Sequence, residues 1–132
     1  MDVKTAFLND NVEEELYMVQ PEGFEISKDA GKVCKLQRSI YGLKQASRSW
    51  NLQFDEVIKD FGFVQKFKEI CVYKKMSGSS VTFLVLYVDD ILLIGNDVDL
   101  LNSVKEYLNS KFSMKDMGEA AYILGIKIYR DR

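Results

Sequence analysis

The sequence predicts a two-layer α+β domain of ferredoxin-like type, an antiparallel sheet with two amphipathic helices on one face. Two stretches repeat apolar residues at helical spacing, several short runs are rich in β-branched and aromatic residues, and turn signals separate those runs. With 132 residues, 47% of them hydrophobic, and no repetitive or Pro/Gly-rich tract, the chain fits one domain over residues 1–132 around one packed core.

In order along the chain, Met1 to Val3 reads as a strand and Asn9-Asp10-Asn11 as the turn that follows it. Leu16 to Gln20 is a second extended run, stopped by Pro21, and Val33 to Leu36 a third. Trp50, Phe54, Val57, Ile58 and Phe61 then recur at helical spacing, with Gly62 as the C-terminal stop. Cys71 to Lys75 and Val81 to Val88 read as a β-hairpin joined by Ser77-Gly78-Ser79-Ser80, and Ile91 to Gly95 returns antiparallel. Asp97 is placed to cap a second helix whose buried stripe is Leu100, Leu101, Val104, Tyr107, Leu108 and Phe112. Tyr122 to Tyr129 forms a final strand pair around Gly125.

Composition narrows the chemistry. The sequence has no His, so serine triads, imidazole acid-base catalysis and the usual zinc sites are excluded, and catalysis must rest on carboxylates, lysines or metals. Cys34 and Cys71 are then expected as free, partly buried thiols. Asp2 and Lys4 stand where a secretory signal turns apolar, and Asp89 and Asp90 interrupt the longest apolar stretch, so an intracellular chain with no membrane partner is expected. A net charge of −2 lacks the basic excess of a freestanding nucleic-acid binder. The charges are unevenly spread: Asp10, Glu13, Glu14, Glu15, Glu22 and Glu25 form an acidic run, and Lys28, Lys32, Lys35, Arg38, Lys44 and Arg48 a basic one. The basic run is either a phosphate-facing surface or a solvated face.

The stretch from Phe83 to Ile94 is apolar except for Asp89 and Asp90, which fall where the hairpin between the two strands must turn. Asp is an ordinary turn residue, so a solvated corner is one reading. The other starts from repulsion: a tight turn favours Asn-Gly or Asp-Gly, and two adjacent carboxylates repel each other unless a divalent cation sits between them. Oxygen ligands without His or Cys select magnesium or manganese. One turn holds a metal weakly, so another carboxylate is needed, and Asp2, at the end of the first strand, is the leading candidate.

Four phrases resemble the reverse transcriptase of copia-type LTR retrotransposons. They are Asp2-Val3-Lys4-Thr5-Ala6-Phe7-Leu8-Asn9, Tyr17-Met18-Val19-Gln20-Pro21-Glu22-Gly23-Phe24, Lys35-Leu36 with Ser39-Ile40-Tyr41-Gly42-Leu43-Lys44-Gln45-Ala46, and Leu86-Tyr87-Val88-Asp89-Asp90. The resemblance covers nearly the whole chain in the family's order and spacing. It implies an RNA-dependent DNA polymerase palm, with the start of the fingers, the thumb and ribonuclease H outside this sequence. Asp2, Asp89 and Asp90 are then the catalytic carboxylates, and the Val3 carbonyl joins them around two magnesium ions, in such sites roughly 3.5 to 4 Å apart.

The same resemblance places Phe7 as an aromatic gate against a 2′ hydroxyl, Gln45 in the nucleotide pocket, and the main-chain amides of Thr5 and Ala6 against phosphate. Arg48 is a weaker phosphate candidate. Lys115 is either a general acid near the leaving pyrophosphate or a solvated lysine, and Leu124 and Gly125 fall in a hairpin similar to the one that grips the primer. The implied partners are primed RNA or DNA template, deoxynucleoside triphosphates and the rest of a retrotransposon polyprotein, in the cytoplasm or a virus-like particle. The sequence departs from the family at Ser47, usually Pro, at Asp10, usually Gly, and at Glu69-Ile70, usually an Asp-containing pair; none of these removes a carboxylate. Two alternatives to an active palm remain: an inactive retrotransposon-derived fragment, and an RNA-binding module using Tyr73, Phe83 and Tyr87 on an open sheet face.

Overall fold

In the computed structural model, residues 1–9, 12, 14–25 and 27–130 are described. The expected turn at Asp10-Asn11, the acidic positions Asp10 and Glu13, and the family departure at Asp10 lie outside the described residues. Ten strands are described: β1 (Asp2–Val3), β2 (Tyr17–Val19), β3 (Val33–Lys35), β4 (Val64–Lys66), β5 (Glu69–Ser77), β6 (Ser80–Tyr87), β7 (Asp90–Gly95), β8 (Met114–Lys115), β9 (Tyr122–Ile123) and β10 (Ile126–Lys127). Two α-helices join them, α1 (Ala46–Asp60) and α2 (Val98–Lys111), with short 3-10 turns at Ala6–Asn9 and Ser27–Asp29.

The main sheet has six strands in the order β4-β5-β6-β7-β1-β8, and each pairing in it is antiparallel. β2 pairs with β3 and β9 with β10 in two small separate sheets. The α+β expectation therefore holds.

Alternation along the strands sorts side chains by face. Tyr73, Leu84, Leu86 and Ile91 are buried from the sheet, and they join Trp50, Phe54 and Ile58 of α1 and Val104 and Leu108 of α2 in one cluster. Both helices thus cover the same face, as expected. Phe112 sits between them, edge-on to Trp50 at 5.1 Å and stacked on Phe54 at 6.0 Å. Near the far end of α1, Phe61 stacks on Tyr107 at 4.4 Å, and the Tyr107 hydroxyl donates to the Val57 carbonyl at 3.0 Å. Tyr73, offered for the open face only under the RNA-binding alternative, is fully buried under α1 and donates to Asp55 at 3.1 Å, so it does not serve that reading. Cys71 corrects an expectation. It is exposed, whereas Cys34 is partly buried and both are free thiols.

The helix ends follow local chemistry. Gly62, at φ +91°, completes α1 with Gly62 N–H donating to Lys59 O and Phe63 N–H to Ile58 O, the paired bonds that a left-handed residue after a helix permits. At α2, the Asp97 carboxylate accepts from Asp99 N at 3.0 Å and Leu100 N at 3.1 Å, and also from the Ser80 hydroxyl at 2.7 Å, which ties the helix start to β6. Among the described residues no helix is long and apolar enough to cross a membrane.

Those three donors hold the Asp97 carboxyl below its ordinary value of 3.8, the Ser80 hydroxyl most of all. A depressed acid stabilises the fold fully above its unfolded value and loses that contribution as pH falls through the folded one. Asp97→Ala should therefore melt at a lower temperature than the parent at pH 7, with the gap closing as pH falls below 3.8. A gap that stays constant to strongly acid pH in a calorimetric series would refute the cap's charge dependence.

Candidate active site

Asp2 is a residue of β1, which lies between β7 and β8. Val3 N–H donates to Asp89 O at 2.8 Å and Ile91 N–H to Met1 O at 2.8 Å. These two bonds flank the Asp2 and Asp90 pair rather than join it, which is the closer kind of antiparallel pairing, with Cα atoms about 4.5 Å apart and side chains near one another. On its other side Asp2 pairs with Lys115. Val3 and Ile91 are buried toward the helices, so Asp2 and Asp90 point to the opposite, open face, where Tyr87 is also exposed.

The turn is shifted by one residue from its expected place. Tyr87 pairs with Asp90, so the two central turn residues are Val88 and Asp89, and Asp90 is the first residue of β7. Val88 has φ +57° while Asp89 does not lie at positive φ, the pattern of a type II′ turn. Glycine is the usual residue at that first position; a β-branched valine there carries backbone strain. What holds it is visible. The buried Trp50 indole N–H donates to the Val88 carbonyl at 2.6 Å, and the Asp89 carbonyl is taken by Val3. The turn is thereby fixed from α1 on one side and β1 on the other.

Thr5, directly after β1, is likewise at positive φ (+52°), its hydroxyl donating to Lys4 O at 2.7 Å. The chain then turns into the Ala6–Asn9 segment, which packs against α1. Ala6 is fully buried, and Phe7 is partly buried with its ring 4.5 Å from that of Tyr41. Partial desolvation, then the charges of Asp89 and Asp2, push the Tyr41 phenol above its ordinary value, and a backbone hydrogen bond from Ala6 opposes them. Tyr41 therefore packs against Phe7 within electrostatic reach of both carboxylates. Sequence reasoning gave it no role, since a loop aromatic has no periodicity to mark it; its place in the Tyr41-to-Ala46 phrase was the available signal.

The remaining candidates are more dispersed. Gln45 stands at the N-cap of α1 with its carbonyl accepting from Ser49, and its side-chain amide reaches Glu14 at 3.5 Å. Arg48 is exposed on the first turn of α1. Leu124 and Gly125, both at positive φ, form the exposed tip of the β9–β10 hairpin, outside the six-stranded sheet. The structure thus groups Asp2, Val3, Asp89, Asp90 and Lys115 at one corner with Thr5 to Phe7 alongside, and leaves Leu124 and Gly125 in a different sheet.

The donor chemistry fits a hard divalent cation. Asp2 and Asp90 are like charges directly opposite each other, an arrangement that costs stability unless a cation offsets it. The set is open in this conformation: among the described residues no three His, Cys, Asp or Glu side chains converge closely enough to enclose an ion.

Residues 1–132 all match the family described as reverse transcriptase (RNA-dependent DNA polymerase). The chain belongs to the reverse transcriptase family. Its relatives are of the retrotransposon kind. It is 48% identical over 133 residues to the retrovirus-related Pol polyprotein from transposon TNT 1-94 of Nicotiana tabacum, covering 100% of this chain and 10% of that protein. The corresponding polyprotein from transposon RE1 of Arabidopsis thaliana is 40% identical over 131 residues, 98% of this chain and 9% of that protein. The putative transposon Ty5-1 protein of Saccharomyces cerevisiae is 35% identical over 130 residues, 98% of this chain and 42% of that protein. The chain therefore spans about a tenth of the two plant polyproteins. No solved structure matches it.

The Trp50 bond to the turn of this reverse transcriptase domain is open to a direct test. Trp50→Phe keeps an aromatic ring in the core and removes the donor. It should cost about 1–3 kcal/mol in urea unfolding, through the unpaired carbonyl and the smaller ring. Amide exchange from Asp89 to Ile91 should also speed up, and unchanged exchange there would show that the indole does not hold the turn.

Proposed function

We propose that this domain is the palm of an RNA-dependent DNA polymerase, and that Asp2, Asp89 and Asp90 bind divalent metal for nucleotidyl transfer from a deoxynucleoside triphosphate to a primer 3′ hydroxyl. The observation that carries the reading is the facing pair of Asp2 and Asp90 beside a strained turn bearing Asp89, in a chain of the reverse transcriptase family. The strand order supports the ferredoxin-like palm. With β4 and β5 set aside as additions at one edge, β1-α1-β6-β7-α2-β8 forms a sheet ordered β6-β7-β1-β8, with both helices behind it.

When bound, magnesium ions, two by family resemblance, supply charge neutralisation at the triphosphate and activation of the hydroxyl. The chain's own residues supply positioning. The three carboxylates and the Val3 carbonyl are oxygen donors on one sheet corner. Phe7, braced by Tyr41, presents an aromatic edge where a ribose 2′ hydroxyl would collide, and Gln45 with the main chain at Thr5 and Ala6 borders the nucleotide's path. Lys115, beside Asp2 in the register, offers an ammonium group to the leaving pyrophosphate; Arg48 extends the positive charge along α1. Leu124 and Gly125 serve the primer strand from the small hairpin. The remainder of a polyprotein, primed template and deoxynucleotides are the proposed partners, in an intracellular setting.

Primer extension with magnesium on a primed RNA template tests the reading. The chain, placed in the length of polyprotein its relatives have, should incorporate deoxynucleotides, and Asp89→Asn should lower the rate by at least about a hundredfold, the scale of losing a principal electrostatic contributor. Equal incorporation by both would remove Asp89 from the mechanism.

A further inference from the structure

Far from the carboxylate corner, the open sheet face carries a feature that this chemistry does not use. Lys74 and Phe83 are direct cross-strand partners on β5 and β6, and Lys66 on β4 reaches over the same ring. Both ammonium groups lie 5.8 Å from the Phe83 centroid. Beside them runs a groove of about 370 Å³ with Val64 and Met76 in its wall, both largely exposed, and next to Lys66 the ring of Phe67 is 99% exposed. The neighbouring acid is Glu69, 4.0 Å from Lys66, an exposed ion pair of little strength.

We infer that this edge of the sheet, with Lys66 and Lys74 over Phe83 beside the Val64–Met76 groove, is a second binding site, for single-stranded nucleic acid. Two cations over one ring match successive phosphates, while the apolar groove and the exposed Phe67 at the adjoining β4–β5 turn match unstacked bases, which any sequence supplies. A duplex keeps its bases stacked and offers nothing to the groove or the ring. An acidic peptide would use the lysines and leave the aromatic and apolar surface uncovered. Phe83 lies four residues before Tyr87, the last residue of the same strand, about 13 Å along it. The site is therefore separate from the carboxylates, on the same face, and placed to hold unpaired strand while the corner acts. The inference rests on the polymerase reading only for the supply of nucleic acid.

Fluorescence anisotropy with a labelled 20-nucleotide oligothymidylate, in EDTA and across a salt series, tests it without involving the carboxylates. The 132-residue chain and its Asp89→Asn variant should bind equally. Lys66→Gln/Lys74→Gln should reduce the slope of log K against log salt by about 1.4, two phosphates at roughly 0.7 each for a single strand. Phe67→Ala should weaken binding about fivefold or more with the slope unchanged. Absence of binding, or an unchanged slope in the double lysine variant, overturns the inference. So does equal displacement of the oligonucleotide by polyphosphate or polyglutamate at matched charge, which would mark a general anion surface or a site for acidic protein. None of these outcomes bears on the role of Asp89, which primer extension reads separately.

Discussion

Three backbone hydrogen bonds lock β1 between β7 and β8: Val3 N–H to Asp89 O, Ile91 N–H to Met1 O, and Lys4 N–H to Ser113 O, each 2.8 Å long. The register they set puts Asp90 on one side of Asp2 and Lys115 on the other. Because side chains alternate across a sheet, a slip of one residue would drive Asp2 into the core and bring the buried Val3 out to solvent. The order and chemistry of the corner depend on this two-residue strand more than on any larger element.

The core enforces that register through the helices. Trp50 is packed against Phe54 and Phe112 and uses its one polar atom on the Val88 carbonyl, so the position of α1 and the shape of the turn are coupled. Strain at Val88 persists because its neighbours over-determine it, with a buried indole on one side and a sheet bond at the next residue on the other. The like charges of Asp2 and Asp90 add a second unfavourable term on the open face. Both costs fall at the corner that the carboxylate pattern marks, as expected where local rules yield to a site.

Much of the framework was legible in the sequence because local and tertiary signals agreed. The stripe from Trp50 to Ile58, the Asp97 cap and the Gly78 hairpin each obey a periodicity or a turn rule that packing then rewards. The failures share a different cause. The Asp89-Asp90 pair looked like the turn because it breaks an apolar run, yet the turn sits one residue earlier, since Trp50 supports a valine where local preference excludes one. β4 and β8 are too short to show alternation and exist through their partners. Tyr73 entered as an open-face aromatic only under the RNA-binding alternative, and its burial depends on α1 lying over β5 with Asp55 placed to accept its hydroxyl. At the site, Asp2 was legible through the family phrase and the need for another carboxylate; Tyr41 was not, because only the folded chain sets its ring against Phe7 and its phenol within electrostatic reach of Asp2 and Asp89.

The central claim is that Asp2, Asp89 and Asp90 form one cation site. A manganese titration followed by the paramagnetic broadening of carboxylate resonances tests it most directly. All three should broaden together at low manganese, ahead of Asp97 and Asp116, which are engaged by Ser80 and by Lys105. Asp2→Asn should abolish the response at Asp89 and Asp90. Broadening of those two that is indifferent to Asp2→Asn, or that spreads evenly over Asp97 and Asp116, would contradict the account.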